Sequence, residues 1–131
     1  MGSALNSPLA WLVVGVGAAL GAWLRWALSV LFAQLHPFIQ LGTLTVNLAG
    51  GYLIGLALGF FGDHAALNPA WRLFAITGFL GGLTTFSSFS GEAMVLLQRG
   101  EYGWALAHSG LHLVGSIAFC IAGFATWRAM A

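Results

Sequence analysis

The sequence predicts an all-α integral membrane protein with four transmembrane helices. Of its 131 residues, 60% are hydrophobic and 5% are charged, whereas a soluble domain carries about 25% charged residues. Four apolar stretches each reach the roughly 20 residues that a membrane-spanning helix requires. No soluble core of this size could bury so much apolar surface, and the length suits one domain. We therefore expect residues 1–131 to form a single four-helix membrane domain.

The predicted spans are joined by short polar connections. They cover roughly residues 9–32, 41–61, 71–97 and 104–127. Pro37 ends the first helical stretch, Pro69 stands where a helix begins, and the turn before the fourth span reads QRGEYG. Short connections place neighbouring helices antiparallel, so both termini are expected on the same side of the membrane.

In the first span, small residues recur at every fourth position. Gly17, Gly21 and Arg25 share one helix face, and small residues at this spacing let helix backbones approach closely in lipid. Two interpretations of Arg25 remain open. Its side chain reaches the membrane interface, or it is a structural anchor near a pore mouth that pairs with a carboxylate or a backbone carbonyl.

The second span carries one ridge of residues at every fourth position: Thr43, Asn47, Gly51, Gly55 and Gly59. The three glycines indicate close helix packing. An amide near the membrane interior is costly unless it has a partner or faces water. Asn47 is therefore either an interhelical hydrogen-bond clamp or a donor that lines a pore.

The third span contains the stretch GLTTFSSFSG at residues 82–91. Gly81 and Gly82 lower helix propensity, and the hydroxyls of Thr84 and Thr85 offer the backbone competing hydrogen bonds. These features predict that the third helix is broken in mid-membrane, near residues 81–88. Irregular backbone survives at that depth only where it is buried in protein or lines a cavity. A simple packing kink is the alternative.

Three further residues of this span are candidates for a site. Phe86 and Phe89 lie three apart and share a face if the helix resumes there. Their positive ring edges could contact a small anion, although contact with lipid or other helices is the alternative. Glu92 follows the motif as either the partner of an arginine or a carboxylate in an aqueous vestibule.

The fourth span carries a polar stripe at every fourth position, made of His108, His112, Ser116 and Cys120. Two histidines at this spacing can chelate a metal, but the sequence offers no third ligand. The stripe therefore faces a water-filled path or a subunit interface, or its histidines form hydrogen bonds to neighbouring helices.

Lysine is absent and the arginines are evenly distributed. Arg72 and Arg128 lie on the side of the termini, and Arg25 and Arg99 lie toward the other side. An excess of positive side chains on one side normally sets orientation, so this balance predicts insertion in both orientations. A net charge of +1 leaves no polybasic surface for nucleic acid. No P-loop or catalytic constellation is visible, so neither an ATP-driven pump nor an enzyme is expected.

Three segments, GAALGAWLRW, GTLTVNLAGGYLIG and TGFLGGLTTFSSFSGE, resemble in that order the signatures of the small bacterial fluoride channels, the CrcB or Fluc family. The resemblance implies an antiparallel, dual-topology homodimer in the bacterial inner membrane. Such a dimer contains two paths that passively export fluoride from the cytoplasm and so protect the cell from its toxicity.

The resemblance also implies roles for individual residues. Phe86 and Phe89 match the family's fluoride-facing aromatic pair, and Asn47 matches its pore asparagine. The backbone carbonyls of Gly81 and Thr84 match the ligands of a structural Na⁺ at the dimer interface. The remaining residues that we assign to the fluoride path are Thr43, Ser87, Ser88, Glu92, His108, His112 and Ser116.

The fourth span departs from the family pattern. His108 and His112 stand where family members carry Tyr and Ser, so conductance is expected to depend on pH if these histidines line the path. Two other classes of membrane protein fit the sequence less well. A dual-topology multidrug exporter needs an acidic residue that the first span lacks, and a non-conducting assembly factor would leave Asn47 and the hydroxyl cluster unexplained.

Overall fold

The computed structural model describes residues 2–131, and every regular element in that range is helical. Met1, which the predicted domain includes, lies outside the described residues. The elements are α1 (Gly2–Leu5), α2 (Pro8–Leu31), α3 (Leu41–Asp63), α4 (Pro69–Arg72), a π-helix (Leu73–Leu80), α5 (Gly81–Leu83), α6 (Ser87–Gln98) and α7 (Tyr102–Met130).

Four stretches are long and apolar enough to cross a membrane: Pro8–Leu31, Leu41–Asp63, Pro69–Gln98 and Tyr102–Met130. The predicted all-helical class and the four spans are therefore confirmed. The predicted bounds are close to these, and the N-terminal differences have a local cause. Ser7 caps α2 ahead of Pro8, and Asn68 caps α4 ahead of Pro69, so each of these helices begins at its proline.

The first span packs against the π-helix and α5, through glycines on both sides. A Cβ atom added at Gly17 would lie 2.8 Å from the Phe79 backbone nitrogen, and one added at Gly82 would lie 2.9 Å from the Ala18 Cα. Real Cβ atoms essentially never approach backbone so closely. The glycine spacing predicted from the sequence is therefore a close backbone contact between these elements.

The second span packs against α7 in the same manner. A Cβ atom at Gly51 would lie 2.7 Å from the Ser116 carbonyl oxygen, and one at Gly55 would lie 2.6 Å from the Phe124 backbone nitrogen. The packing ridge predicted for α3 is confirmed. It brings the polar end of α3, with Asn47, against the stripe of α7.

Within the third span, helical structure ends at Leu83 and begins again at Ser87. Thr84 is extended, with φ −87° and ψ 156°. At the other end of α6, Gly100 has a φ of +75°. The N–H of Glu101 donates to the Leu96 carbonyl at 2.9 Å. This is the closing pattern of a helix that ends on a left-handed glycine, and it turns the chain sharply into α7.

Candidate functional site

A cavity of about 500 Å³ lies where α5 gives way to α6, with α3 and α7 as its other walls. Its lining combines polar groups with an apolar and aromatic wall. The lining residues are Asn47, Gly51, Ile54, Gly81, Thr84, Thr85, Phe86, Phe89, His112, Leu113, Ser116, Ile117 and Cys120. The interruption of the third span therefore borders a cavity.

Asn47 joins three elements at this cavity, and its side chain is 8% exposed. Its Oδ1 accepts the Thr85 backbone N–H at 2.8 Å, and its Nδ2 donates to the Thr85 carbonyl at 2.8 Å. Nδ2 also lies 2.9 Å from Nδ1 of His112. The contacts match the interhelical clamp expected from the sequence. Both amide hydrogens are engaged, so an ion could contact them only if one bond opened.

These contacts determine which nitrogens of the two buried histidines carry hydrogen. Nδ2 of Asn47 only donates, so Nδ1 of His112 accepts and the neutral His112 ring carries its hydrogen on Nε2. Nε2 of His108 lies 3.2 Å from the Phe89 carbonyl, which only accepts, so this nitrogen donates. His108 is fully buried and His112 is 3% exposed. Both rings are thus held by neighbouring helices.

Glu92 approaches His108 and not an arginine. Its Oε2 lies 4.0 Å from His108 Nε2, and its carboxyl lies near the side chain of Thr43, which is buried. Arg25 instead donates from Nε to the Gly82 carbonyl at 3.1 Å. Arg25 thus anchors α2 to the backbone at the end of α5. Of the two interpretations of Glu92, pairing with an arginine is not observed among residues 2–131.

Aromatic rings form one wall of the cavity. Phe86 and Phe89 meet edge to face, with ring centroids 4.7 Å apart. Phe89 stacks on His112 at 4.9 Å and an interplanar angle of 13°, and His112 lies 4.5 Å from His108. Phe86 is 74% exposed, so one end of this aromatic row is open.

Most hydroxyl groups that form hydrogen bonds within the stretch GLTTFSSFSG bond to backbone atoms. Thr85 Oγ1 accepts the Ser88 N–H at 3.1 Å and lies 3.3 Å from the Ser87 hydroxyl. Ser116 donates to the Asn47 carbonyl at 3.4 Å. The structure therefore brings Asn47, Phe86, Phe89, His112 and Ser116 to one cavity. Ser87 and Ser88 are not part of its lining, but they contact Thr85, which is.

Two backbone carbonyls lose their helical donors at the interruption. An unbroken helix would place the Thr85 N–H on the Gly81 carbonyl and the Ser88 N–H on the Thr84 carbonyl. Those hydrogens bind Asn47 Oδ1 and Thr85 Oγ1 instead. Among residues 2–131, no three His, Cys, Asp or Glu side chains are grouped to hold a metal ion.

Sequence reasoning missed two features of this site. Thr85 takes part through its backbone, because its N–H and its carbonyl both bond the Asn47 side chain. The sequence indicated a role only for its hydroxyl. Leu113 and Ile117 form its apolar wall, but they lie off the polar stripe of α7. The bond from Arg25 to the Gly82 carbonyl agrees with the structural anchor that was one of the two sequence interpretations, although the sequence does not say which carbonyl accepts.

Comparison with known proteins identifies a matching family and several similar proteins. The family model described as "CrcB-like protein, Camphor Resistance (CrcB)" matches residues 12–124. A fluoride-specific ion channel FluC of Cupriavidus pinatubonensis is 60% identical over 124 residues, which cover 95% of this chain and 98% of that protein.

Two less similar relatives carry the same name. That name describes ion transport, which is not an enzymatic activity. The channel of Ralstonia nicotianae is 53% identical over 124 residues, covering 95% of this chain and 98% of that protein. The channel of Pseudomonas syringae pv. maculicola is 50% identical over 117 residues, covering 89% and 92%. With its four apolar helices, the chain is a multi-pass membrane protein that belongs to the CrcB-like family of fluoride-specific ion channels.

Proposed function

We propose that this protein is a channel that passively exports fluoride across the bacterial inner membrane. The observation that carries the proposal is the 60% identity, over 95% of the chain, to a protein named as a fluoride-specific ion channel. Hydrogen fluoride enters cells as a neutral acid and dissociates in the more alkaline cytoplasm. An inside-negative potential drives the trapped anion out through any fluoride-selective path, so no further energy source is required.

The cavity beside the interruption is the proposed fluoride path. Fluoride is a strong hydrogen-bond acceptor, and the hydroxyls of Ser87 and Ser88 supply donors that replace part of its water shell. Ser116 joins them when its long bond to the Asn47 carbonyl, 3.4 Å, opens. The rings of Phe86 and Phe89 narrow the path and offer positive edges. Asn47 contributes mainly by holding Thr85 and His112, because its amide hydrogens are already bonded.

The proposed assembly is an antiparallel homodimer with two such paths. The balanced arginines support insertion in both orientations. The exposure of Phe86 at 74% supports a second copy, because an interruption at bilayer mid-depth needs cover by protein or water. We assign that mid-membrane break to residues 84–86, between α5 and α6.

A structural Na⁺ at the centre of the dimer fits the free carbonyls. Gly81 and Thr84 each contribute an oxygen without its helical donor, and a second copy would add the same two. Hard cations prefer oxygen ligands, and such an ion would hold the two interruptions together. Arg25 restrains this segment through its bond to Gly82.

Fluoride efflux from proteoliposomes tests the channel proposal. The purified protein is expected to release fluoride far faster than chloride, as followed with ion-selective electrodes. Phe86→Ile and Phe89→Ile are expected to reduce fluoride efflux at least tenfold. Phe119→Ile is the matched control, because Phe119 lies on α7 outside the cavity lining.

Wild-type vesicles without fluoride-selective release would contradict the function. Wild-type rates in both cavity variants would contradict the role of the two rings.

Reporters fused to the C-terminus test the assembly. One reporter is active only in the cytoplasm and the other only outside it. Signal from both fusions is expected from insertion in two orientations, and signal from one alone would exclude the antiparallel dimer.

A further inference from the structure

Three buried polar atoms near the cavity have no hydrogen-bond partner within residues 2–131: Glu92 Oε2, His108 Nδ1 and His112 Nε2. Buried polar groups are nearly always bonded, and an orphaned one calls for an explanation. The three residues lie close together, because the centroids of the two histidine rings are 4.5 Å apart and Glu92 Oε2 lies 4.0 Å from Nε2, the other ring nitrogen of His108. A ligand is the simplest partner for such a cluster.

The chemical character of each atom follows from bonds already described. His112 Nε2 carries hydrogen and is a donor, because Asn47 occupies Nδ1. His108 Nδ1 is a lone-pair acceptor, because Nε2 donates to Phe89. With Glu92 as a carboxylate, its Oε2 is a second acceptor. The cluster thus offers one donor and two acceptors.

One hydrogen-bond donor beside two acceptors suits a water molecule and not an anion. A water molecule bound between them would accept one bond from His112 and donate two, to His108 and Glu92. A fluoride ion would gain one donor but would meet two electron-rich atoms in a site with little solvent. One added proton on His108 Nδ1 changes the set to two donors and allows the protonated ring to pair with Glu92.

We propose that His108, His112 and Glu92 form a proton-linked ion site, which holds water when neutral and a small anion after uptake of one proton. The proposal rests on the fluoride-channel function and adds its regulation. The fluoride step through this site is then fast at low pH and slows as the histidine proton is lost.

The groups that face the site limit which titrations can be responsible. Glu92 is the acidic residue of α6, and Thr43 and Asn47 are the facing polar residues of α3, neither of which titrates. The titratable groups of α3 bond to the C-terminal part of α7: Tyr52 to Thr126, and Asp63 to Trp127 and Arg128.

Fluoride efflux at equal internal and external pH, between about pH 5.5 and pH 8, tests the proposal. Protein-free vesicles correct for leakage of undissociated acid. The wild-type rate is expected to fall as pH rises, by at most about tenfold per pH unit for one linked proton. His108→Asn places an amide donor near the position of Nδ1 and is expected to make efflux independent of pH.

His64→Asn is the matched control, because His64 is exposed and bonds within α3 and its C-cap, to the Phe60 carbonyl. It should retain the wild-type pH profile. Fluoride-selective efflux that is independent of pH in the wild type would overturn this inference and leave the channel function intact. No fluoride-selective efflux at any pH would contradict both.

A second measurement needs no variant in the site. Nitrogen NMR of ¹⁵N-histidine in the wild-type protein distinguishes the ring tautomers. Near neutral pH without fluoride, His108 and His112 are expected to carry hydrogen on Nε2 alone, and added fluoride should protonate His108 at Nδ1. Fluoride binding that leaves both rings unchanged would overturn the proposal.

Discussion

The two halves of the α3–α7 interface use the same residue spacing for different purposes. From Gly51 to Gly59, α3 presents glycines against the backbone and aromatic side chains of α7. Asn47 and Thr43 occupy the same ridge, one and two turns before Gly51. Asn47 bonds His112, and Thr43 lies near Glu92, which approaches His108. Close packing and interhelical hydrogen bonds are the main forces between helices in lipid. The comparison shows that the glycine half sets the distance at which the polar half can form its bonds.

The largest expected effect comes from disturbing the glycine half. Gly55→Ala places a Cβ against the Phe124 backbone nitrogen, 2.6 Å away, and backbone cannot yield as a side chain can. We expect a loss of about 3 kcal/mol or more in unfolding free energy, measured by unfolding in mixed detergent. Gly62→Ala, with no atom within 4 Å of its added Cβ, should unfold like the wild type. Equal stability of the two variants would show that the halves are independent.

The second prediction concerns the polar half. Asn47→Asp retains an acceptor for the Thr85 N–H but loses the donors to Thr85 and His112. We expect about 2 kcal/mol of destabilisation from the unpaired acceptors and at least a tenfold slower fluoride efflux. Asn68→Asp is the control, because Asn68 caps α4 as an acceptor and aspartate caps equally well. Unaltered efflux in Asn47→Asp would remove Asn47 from the path.

The third prediction separates the Thr85 side chain from its backbone. Thr85→Val keeps the shape and the Asn47 clamp but removes the acceptor for the Ser88 N–H, 3.1 Å away. We expect a loss of about 1 kcal/mol in the same unfolding assay. Thr77→Val, at an exposed position of the π-helix, should have no effect. A loss as large as that of Asn47→Asp would mean that the hydroxyl and the clamp act as one unit.

The smallest effect is expected at the far end of the glycine half. Trp127 donates from Nε1 to Asp63 at 2.8 Å in an exposed setting, and its ring covers Gly59. Trp127→Phe keeps an aromatic ring there and loses this bond, so we expect about 0.5 kcal/mol. Trp23→Phe, at a site that is 65% exposed, controls for the change of ring. A larger loss than for Thr85→Val would contradict the expected order of these two effects.

The spans and glycine ridges could be predicted because both are local properties of sequence. Hydropathy over about 20 residues identifies a span. A repeat at every fourth residue identifies one face of a helix, whatever that face contacts. Which elements pair is a different question. Asn47 and Thr85 are 38 residues apart, and their bond depends on the rotation of two helices about their axes. No pattern within either span encodes that rotation.

The polar residues of the site could be named from the sequence, but their chemical roles could not. His108 and His112 were open to several interpretations until their partners were known. The bonds to Phe89 and Asn47 determine which ring nitrogens donate, and tautomers cannot be read from residue identity. Likewise, the carbonyls of Gly81 and Thr84 become free only because Thr85 and Ser88 bond elsewhere.

The π-helix at Leu73–Leu80 has a consequence for insertions and deletions. A π segment holds more residues per turn than an α-helix, and it is rare outside functional regions. Deletion of one residue there, such as Ala75, would let the segment return to ordinary α-helix, in which each residue turns the chain further than it does in a π-helix. The loss of one residue and the larger turn per residue offset each other, so the carbonyls of Gly81 and Thr84 would keep their direction. The π segment therefore accommodates one residue more between Arg72 and Gly81 than a regular helix would, and the site is expected to tolerate its loss.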